Sequence, residues 1–149
     1  GRSPRALGPG DAALFAVEAA RRAAGADVAM IGATTFGAGL PAGDVTRFAF
    51  DAWVRFDGTL FVAEMSGSEM KRLLARTNQG PDTPFAERGG ENLVASGIAA
   101  TAIDPARMYT LVTSAWVARN PQTYLGENPP KLTERPELKL KAAVLGALK

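Results

Sequence analysis

Two threonines in a glycine-rich segment are the first residues of this chain that could do chemistry. Thr34 and Thr35 lie within residues 32–43, directly after the short apolar run D-V-A-M-I. The backbone N–H groups of such a segment can bind a phosphate group. The segment contains neither Gly-Lys-Ser/Thr nor Gly-x-Gly-x-x-Gly. A P-loop and a dinucleotide-binding loop are therefore disfavoured.

Acidic side chains that could bind a metal ion are scattered along the chain. Asp82, Glu87 and Glu91 flank a Gly-Gly pair and suggest calcium, but their spacing does not follow the EF-hand pattern, so a solvated loop is favoured. The chain has no histidine and no cysteine. It lacks the commonest general base at neutral pH, the commonest transition-metal ligand and any thiolate. We predict no metal ion or other cofactor in this chain.

Composition and charge are those of one ordinary folded domain. The 149 residues are 46% hydrophobic and 21% charged, and a chain of this length can bury a core without disulfides. The net charge of +2 comes from 17 basic and 15 acidic residues, with no basic stripe interleaved with aromatic residues. A nucleic-acid partner is therefore disfavoured. No apolar run approaches membrane-spanning length and no signal peptide is visible, so no membrane partner is expected.

Helix caps and apolar runs predict a mixed α/β chain of the α+β class. Residues 1–10, rich in proline and glycine, are predicted to be a linker or tag remnant, and residues 11–149 one compact domain. Predicted helices run from Asp11 to about Ala24, from a capping box at Ser66 to about Thr77, and from Glu134 to Leu148, with a helical turn at 48–53. Predicted strands cover residues 27–31, 58–65, 93–95, 98–102 and 108–113. Residues 78–91 and 119–132 are predicted to be irregular.

Two blocks of the sequence carry an ordered pattern of matches to a known family. The first block, residues 27–74, contains Asp27, Leu40-Pro41, Gly43, Thr46, Phe56, a strand from Leu60 and Ser66-Gly67. The second block has Asp104-Pro105 followed by Y-T-L-V-T at residues 109–113. In order and spacing, the two blocks resemble the C-terminal domain of 5′-nucleotidases and related secreted phosphoesterases. The resemblance covers nearly the whole chain.

The resemblance implies that this chain recognises a substrate while another domain does the chemistry. In that family a separate N-terminal metallophosphoesterase domain holds two metal ions, and the C-terminal domain binds the nucleoside. We therefore expect that N-terminal domain as partner, a nucleoside or other planar small molecule as ligand, and divalent metal ions only in the partner domain. A periplasmic or extracellular location is implied as well. The absence of histidine agrees with this expectation.

The resemblance also assigns aromatic and charged candidates for ligand binding. Phe56 falls on one wall of the family's base-binding sandwich and Tyr124 on the other. The alternative is a core position for Phe56 and a loop-anchoring role for Tyr124. Arg55, which stands in place of a proline, could supply a positive charge or be an ordinary surface arginine. Trp116 is predicted to pack in the core.

Departures from the family pattern leave the ligand open. Residues 32–37, G-A-T-T-F-G, stand where the family has N-G-G-G-I-R, so Gly37 replaces an arginine. Thr34 and Thr35 are ligand-binding candidates in this segment. Asn120, a further candidate, begins N-P-Q-T in place of G-G-D-G, which puts Gln122 at the aspartate position.

Two alternative functions stay open. One is a degenerate, non-catalytic binding module. The other is a recognition domain for a non-nucleotide ester, since residues 84–97 faintly resemble a segment of the sulfur-oxidation thiosulfohydrolases. A complete enzyme within this chain is the least favoured interpretation.

Overall fold

The computed structural model of the protein describes residues 1–80 and 92–148. The helices are α1 (Pro9–Ala24), α2 (Arg47–Trp53), α3 (Gly67–Leu74), α4 (Ala115–Arg119), α5 (Pro121–Leu125) and α6 (Leu140–Ala147). The strands are β1 (Arg2–Ser3), β2 (Val28–Gly32), β3 (Gly43–Asp44), β4 (Thr59–Ser66), β5 (Leu93–Gly97), β6 (Met108–Ser114) and β7 (Thr133–Lys139). Asp82, Glu87, Glu91 and most of the segment compared with thiosulfohydrolases lie outside the described residues.

A mixed sheet with the strand order β5-β2-β6-β4-β7 forms the centre of the molecule. β2 and β6 are parallel, whereas the other neighbouring strands pair antiparallel. Helices pack on both faces of the sheet. The prediction of a mixed α+β domain is therefore confirmed.

The alternation of side chains along β2 divides the core between the two faces of the sheet. Ala29 and Ile31 belong to a cluster with α1, α2 and α6. Val28 and Met30 belong to a second cluster with α3 and α5. Because all five residues of β2 are buried, the strand is apolar throughout, as expected for a strand covered on both faces.

Charged side chains fasten α1 to the edge strand β5. Glu18 on α1 accepts a bidentate pair of hydrogen bonds from Arg21, both of 2.7 Å, and a third from the Ser96 hydroxyl on β5 at 2.8 Å. Hydrogen bonds from Arg21, and then from Ser96 and Arg22, lower the pKa of the Glu18 carboxyl from 4.5 to about 2, against the opposing effect of burial. Glu18 is therefore a charged link between helix and sheet.

The first ten residues, predicted to be a linker, pair with the domain. β1 is antiparallel to β3, and Leu7 exchanges backbone hydrogen bonds with Leu40 at 2.9 and 2.8 Å. α1 begins at Pro9, two residues before the predicted cap, because proline is well suited to the first turn of a helix. It ends as predicted at Gly25, whose φ of 63° is left-handed.

The prediction of a helix over residues 134–148 is wrong for its first half. Residues 133–139 form β7, which pairs with β4, and only α6 is helical. Pro136 disfavours helical geometry at Arg135 and favours an extended segment, and the pairing of residues 133–135 with β4 completes the strand. Pro136 is tolerated because β7 lies at the edge of the sheet.

Three shorter predictions are also corrected. Residues 119–132 include α5 and the end of α4, and are not irregular throughout. Residues 98–102 are not a strand, because β5 ends at Gly97 and a 3-10 turn spans Ala100–Ala102. α3 ends at Leu74, short of Thr77, although its predicted cap is confirmed by a 3.2 Å hydrogen bond from the Glu69 N–H group to the Ser66 hydroxyl.

Candidate functional site

A cleft of about 430 Å³ opens where strands of the central sheet end. We call it the aromatic cleft. β2 and β6 are parallel neighbours, so their carboxyl ends lie side by side here. This is the usual place for ligand sites in open sheets that contain parallel strands. β4 is antiparallel to β6 and begins there. The lining residues come from the segments next to these three strand ends: Thr34, Thr35, Arg55, Phe56, Asp57, Ala115, Trp116 and Arg119.

Backbone hydrogen bonds tie two sides of the aromatic cleft together. The N–H group of Arg55 donates to the Thr35 carbonyl at 2.9 Å, and the N–H group of Gly37 donates to the Trp53 carbonyl at 2.9 Å. Phe36 and Val54 form an isolated antiparallel bridge between the same segments. The turn after β2 and the segment after α2 are therefore held side by side.

The helix that precedes Arg55 and Phe56 is anchored in the core. Its cap, Thr46, accepts a 3.1 Å hydrogen bond from the Ala49 N–H group. At its other end Trp53 is fully buried, and its indole N–H donates to the Ala12 carbonyl on α1 at 2.9 Å. Phe50 meets the Trp53 ring edge-on at 5.7 Å. This packing fixes where the chain leaves α2 and enters the cleft.

Phe56 and Trp116 are the aromatic side chains that line the aromatic cleft in the described part of the chain. Each ring is 54% exposed. The prediction that Trp116 packs in the core is wrong: α4 begins at the Ser114 cap, and Ala115 and Val117 are buried while Trp116 between them projects into solvent. In a helix of five residues, no periodic pattern in the sequence signals this orientation.

Tyr124, the other predicted aromatic wall, lies behind Trp116 and is 6% exposed. Its hydroxyl accepts a 3.1 Å hydrogen bond from the indole N–H group of Trp116. Asn120 is also turned toward Trp116, since its side-chain amide donates to the Trp116 carbonyl at 2.9 Å. Neither Tyr124 nor Asn120 is among the described residues that line the cleft.

Two arginines and one aspartate give the aromatic cleft its charge. Arg55 and Arg119 are exposed at its rim, and the Arg55 guanidinium lies 5.3 Å from the centre of the Phe56 ring. The Asp57 carboxylate accepts hydrogen bonds from the backbone N–H groups of Gly58 at 2.8 Å and Lys141 at 3.1 Å. The Asp57 carboxylate is thus hydrogen-bonded to the backbone. The arginine side chains favour an anionic ligand. Arg119 and Asp57 were not among the predicted site residues.

Gly37 leaves no room for the arginine that the family pattern has at this position. A Cβ atom on Gly37 would lie 2.5 Å from the Ala52 carbonyl oxygen and 2.9 Å from Cδ of Arg55. The aliphatic part of Arg55 therefore occupies the space beside Gly37. Arg55 therefore places a positive charge next to residues 34–37.

Acidic residues of the described chain do not cluster as metal ligands. Within residues 1–80 and 92–148, no three His, Cys, Asp or Glu side chains are grouped so that they could hold a metal ion. In the same residues, no helix has the length and apolarity needed to cross a membrane.

Comparison with protein families identifies the family of this chain. The model of the family described as "5′-nucleotidase, C-terminal domain" matches residues 3–125. The chain belongs to this family. No curated protein matches the sequence.

Solved structures of three bacterial hydrolases share the fold. A 5′-nucleotidase precursor from Thermus thermophilus superposes with a TM-score of 0.67 at 19% identity, over 98% of this chain and 33% of that one. The NAD nucleotidase of Haemophilus influenzae gives 0.61 at 22% identity, over 91% and 29%. A sulfate thiohydrolase from Thermus thermophilus gives 0.56 at 18% identity, over 91% and 28%. The chain thus spans about a third of the length of these proteins.

Proposed function

We propose that this chain is the substrate-recognition domain of a two-domain, metal-dependent nucleotide hydrolase, and that it binds the base of the nucleotide between Phe56 and Trp116. The observation that carries the proposal is the pair of half-exposed aromatic rings in one cleft whose rim holds two arginines. Stacking suits a nucleotide because every base has a flat π-face, and each stacked base is worth about 1–3 kcal/mol.

The arginines extend the proposal from a nucleoside to an anionic nucleotide. A guanidinium group can donate two parallel hydrogen bonds to one phosphate group. Arg55 and Arg119 lie at the rim of the same cleft as the two rings. A nucleotide whose base lies between the rings could therefore direct its phosphate toward one or both arginines. Thr34, in the 3-10 turn that follows β2, adds a hydroxyl group to the lining.

Hydrolysis itself is assigned to a separate N-terminal metallophosphoesterase domain. The proposal is supported by the share of the matched structures that this chain spans, about a third. The lack of histidine and of a grouped set of metal ligands in the described residues is compatible with it. The divalent metal ions then belong to the partner domain, and a periplasmic or extracellular location is proposed on the family resemblance.

Titration of the purified chain with adenosine and adenosine 5′-monophosphate, followed by tryptophan fluorescence, tests the proposal. Loss of either ring, in Phe56→Ala or Trp116→Ala, is expected to weaken binding by about 5- to 150-fold, the equivalent of about 1–3 kcal/mol; because Trp116 is also the reporter, calorimetry measures affinity for its variant. Phe48→Ala is the matched control, since Phe48 is 85% exposed on α2 and is not among the residues that line the cleft. No binding of either compound up to about 10 mM, a level weaker than ordinary specific binding, would refute the proposal.

A non-nucleotide ester is a second candidate ligand for the same recognition role. The similarity of the fold to a sulfate thiohydrolase and the replacement of the family's arginine and aspartate by Gly37 and Gln122 favour it. Thiosulfate and a thiosulfate ester of a small thiol, added to the same titration, distinguish the candidates. Binding of these anions that survives Phe56→Ala and is lost in Arg55→Ala would favour the second candidate.

A further inference from the structure

We propose that Tyr124 is a positioning residue, which holds the Trp116 ring in the orientation that makes it a wall of the aromatic cleft. The proposal rests on the proposed function for its effect on ligand binding. The hydrogen bond from the Trp116 indole N–H group to the Tyr124 hydroxyl, 3.1 Å long, is the contact through which Tyr124 acts.

Trp116 gains from such a contact because its side chain is half-exposed and lies on a short helix. It lies in α4, a helix of five residues, and 54% of its surface is exposed. An exposed side chain on a short helix samples more than one rotamer, and ordering it on binding costs free energy. A hydrogen bond at the indole nitrogen selects one rotamer before the ligand arrives.

Tyr124 is fixed well enough to provide that restraint. Its ring is buried in the cluster that includes α3. The Arg76 side chain, which follows α3, donates to the carbonyl oxygens of Tyr124 at 2.9 Å and Thr123 at 3.2 Å. These bonds satisfy carbonyls at the end of α5, where a helix has no partners of its own. The hydroxyl of Tyr124 therefore projects from a held backbone and a packed ring.

Gly32 connects Tyr124 to the opposite side of the aromatic cleft. A Cβ atom on Gly32 would lie 3.2 Å from Cε1 and 3.6 Å from the hydroxyl oxygen of Tyr124, so the ring rests directly on the backbone at the end of β2. Thr34 and Thr35 follow this glycine. The orientation of Trp116 is thus set relative to the glycine-rich segment.

The variant Tyr124→Phe tests the proposal because it removes the hydroxyl and keeps the ring. Tyr109→Phe is its matched control: Tyr109 is the only other tyrosine of the chain, it is 4% exposed, and its hydroxyl accepts a 2.8 Å hydrogen bond from the Asp104 N–H group. The chain has two tryptophans, so its ¹H–¹⁵N spectrum contains two indole N–H signals. The Trp53 indole N–H group, which donates a hydrogen bond to the Ala12 carbonyl, gives the reference signal.

We expect Tyr124→Phe to shift the Trp116 indole signal upfield and to speed its exchange with water about tenfold, as for other groups that lose a hydrogen bond, while the Trp53 signal stays in place. Affinity for adenosine 5′-monophosphate should fall about 3- to 10-fold, the usual effect of one hydrogen bond. Tyr109→Phe should leave both the Trp116 signal and the affinity unchanged. An unmoved Trp116 signal in Tyr124→Phe would overturn the proposal.

A double-mutant cycle separates positioning from general packing. Trp116→Phe keeps a stacking ring but has no indole N–H group. Adding Tyr124→Phe to it should therefore cause no further loss of affinity. A further loss equal to that of the single variant would show that Tyr124 acts by another route. If the unchanged chain binds no nucleotide, the proposed function fails, and the indole signals alone decide whether Tyr124 holds Trp116.

Discussion

Substitution of Gly37 tests how the aromatic cleft is built. The family pattern has an arginine here, so Gly37→Arg would be the obvious change for strengthening anion binding. The structure predicts the opposite result, because a Cβ atom at this position would lie 2.5 Å from a backbone carbonyl oxygen and 2.9 Å from Cδ of Arg55. Even Gly37→Ala must therefore displace one of these groups.

The expected cost follows from which neighbours can move. The Ala52 carbonyl oxygen accepts a hydrogen bond from the Ala38 N–H group at 2.9 Å, so it cannot shift without breaking the contact between the two segments. The Arg55 side chain is flexible but stacks over Phe56. We expect Gly37→Ala to lower the free energy of unfolding by about 1–3 kcal/mol, the usual cost of overpacking. Each kcal/mol corresponds to about 2–4 °C in the melting temperature for a domain of this size.

Urea and thermal unfolding of Gly37→Ala, beside Gly146→Ala, provide the assay. Gly146 lies in α6, and a Cβ atom there would meet nothing within 4 Å. Gly146→Ala should therefore stabilise the chain by up to about 1 kcal/mol, because alanine favours a helix over glycine. If Gly37→Ala is as stable as the unchanged chain, or if Gly37→Arg binds adenosine 5′-monophosphate more tightly, our account of the space beside Arg55 is wrong.

Other predictions concern pH, a helix cap and a sheet edge. The pKa of Glu18 lies at about 2 in the folded chain and at 4.5 ordinarily, so its ionised form stabilises the fold above pH 4.5, and this stability is lost as the pH falls toward 2. Because 29% of the Glu18 side chain is exposed, water screens the interaction, and we expect the free energy of unfolding to fall by roughly 1–2 kcal/mol over this pH range. In Glu18→Gln, the free energy of unfolding should depend less on pH over the same range. Thr46→Ala removes the cap of α2 and should cost about 1 kcal/mol of stability in urea unfolding, together with some affinity for adenosine 5′-monophosphate. Ser66→Ala, which removes the cap of α3, should lower the stability and leave that affinity unchanged. Asn78 donates to the Ala95 carbonyl and accepts from its N–H group along the edge of β5, so Asn78→Ala should destabilise the chain by about 1–3 kcal/mol in urea unfolding; an unchanged midpoint would contradict the pairing.

Local sequence patterns account for much of the fold. The end of α1 at Gly25, the strand β4 and the cap at Ser66 are all visible in short stretches of sequence, because left-handed glycines, β-branched runs and capping hydroxyls act over a few residues. The segment 133–139 could not be assigned in this way. Its side chains are mostly exposed, so no apolar periodicity identified the strand, and its pairing with β4 was decided by tertiary contact.

For the candidate site too, the sequence determined some features and the tertiary structure decided others. The sequence by itself determined the family, the lack of histidine and cysteine, and the candidates Thr34, Thr35, Arg55 and Phe56, which all line one cleft. Only the tertiary structure decided that Trp116, with Arg119, faces the cleft and that Tyr124 lies behind it. Both rings belong to helices of five residues, too short for a periodic pattern to reveal which side is buried. Their orientation depends on where the parallel ends of β2 and β6 meet, and on the space that Gly32 leaves for the Tyr124 ring.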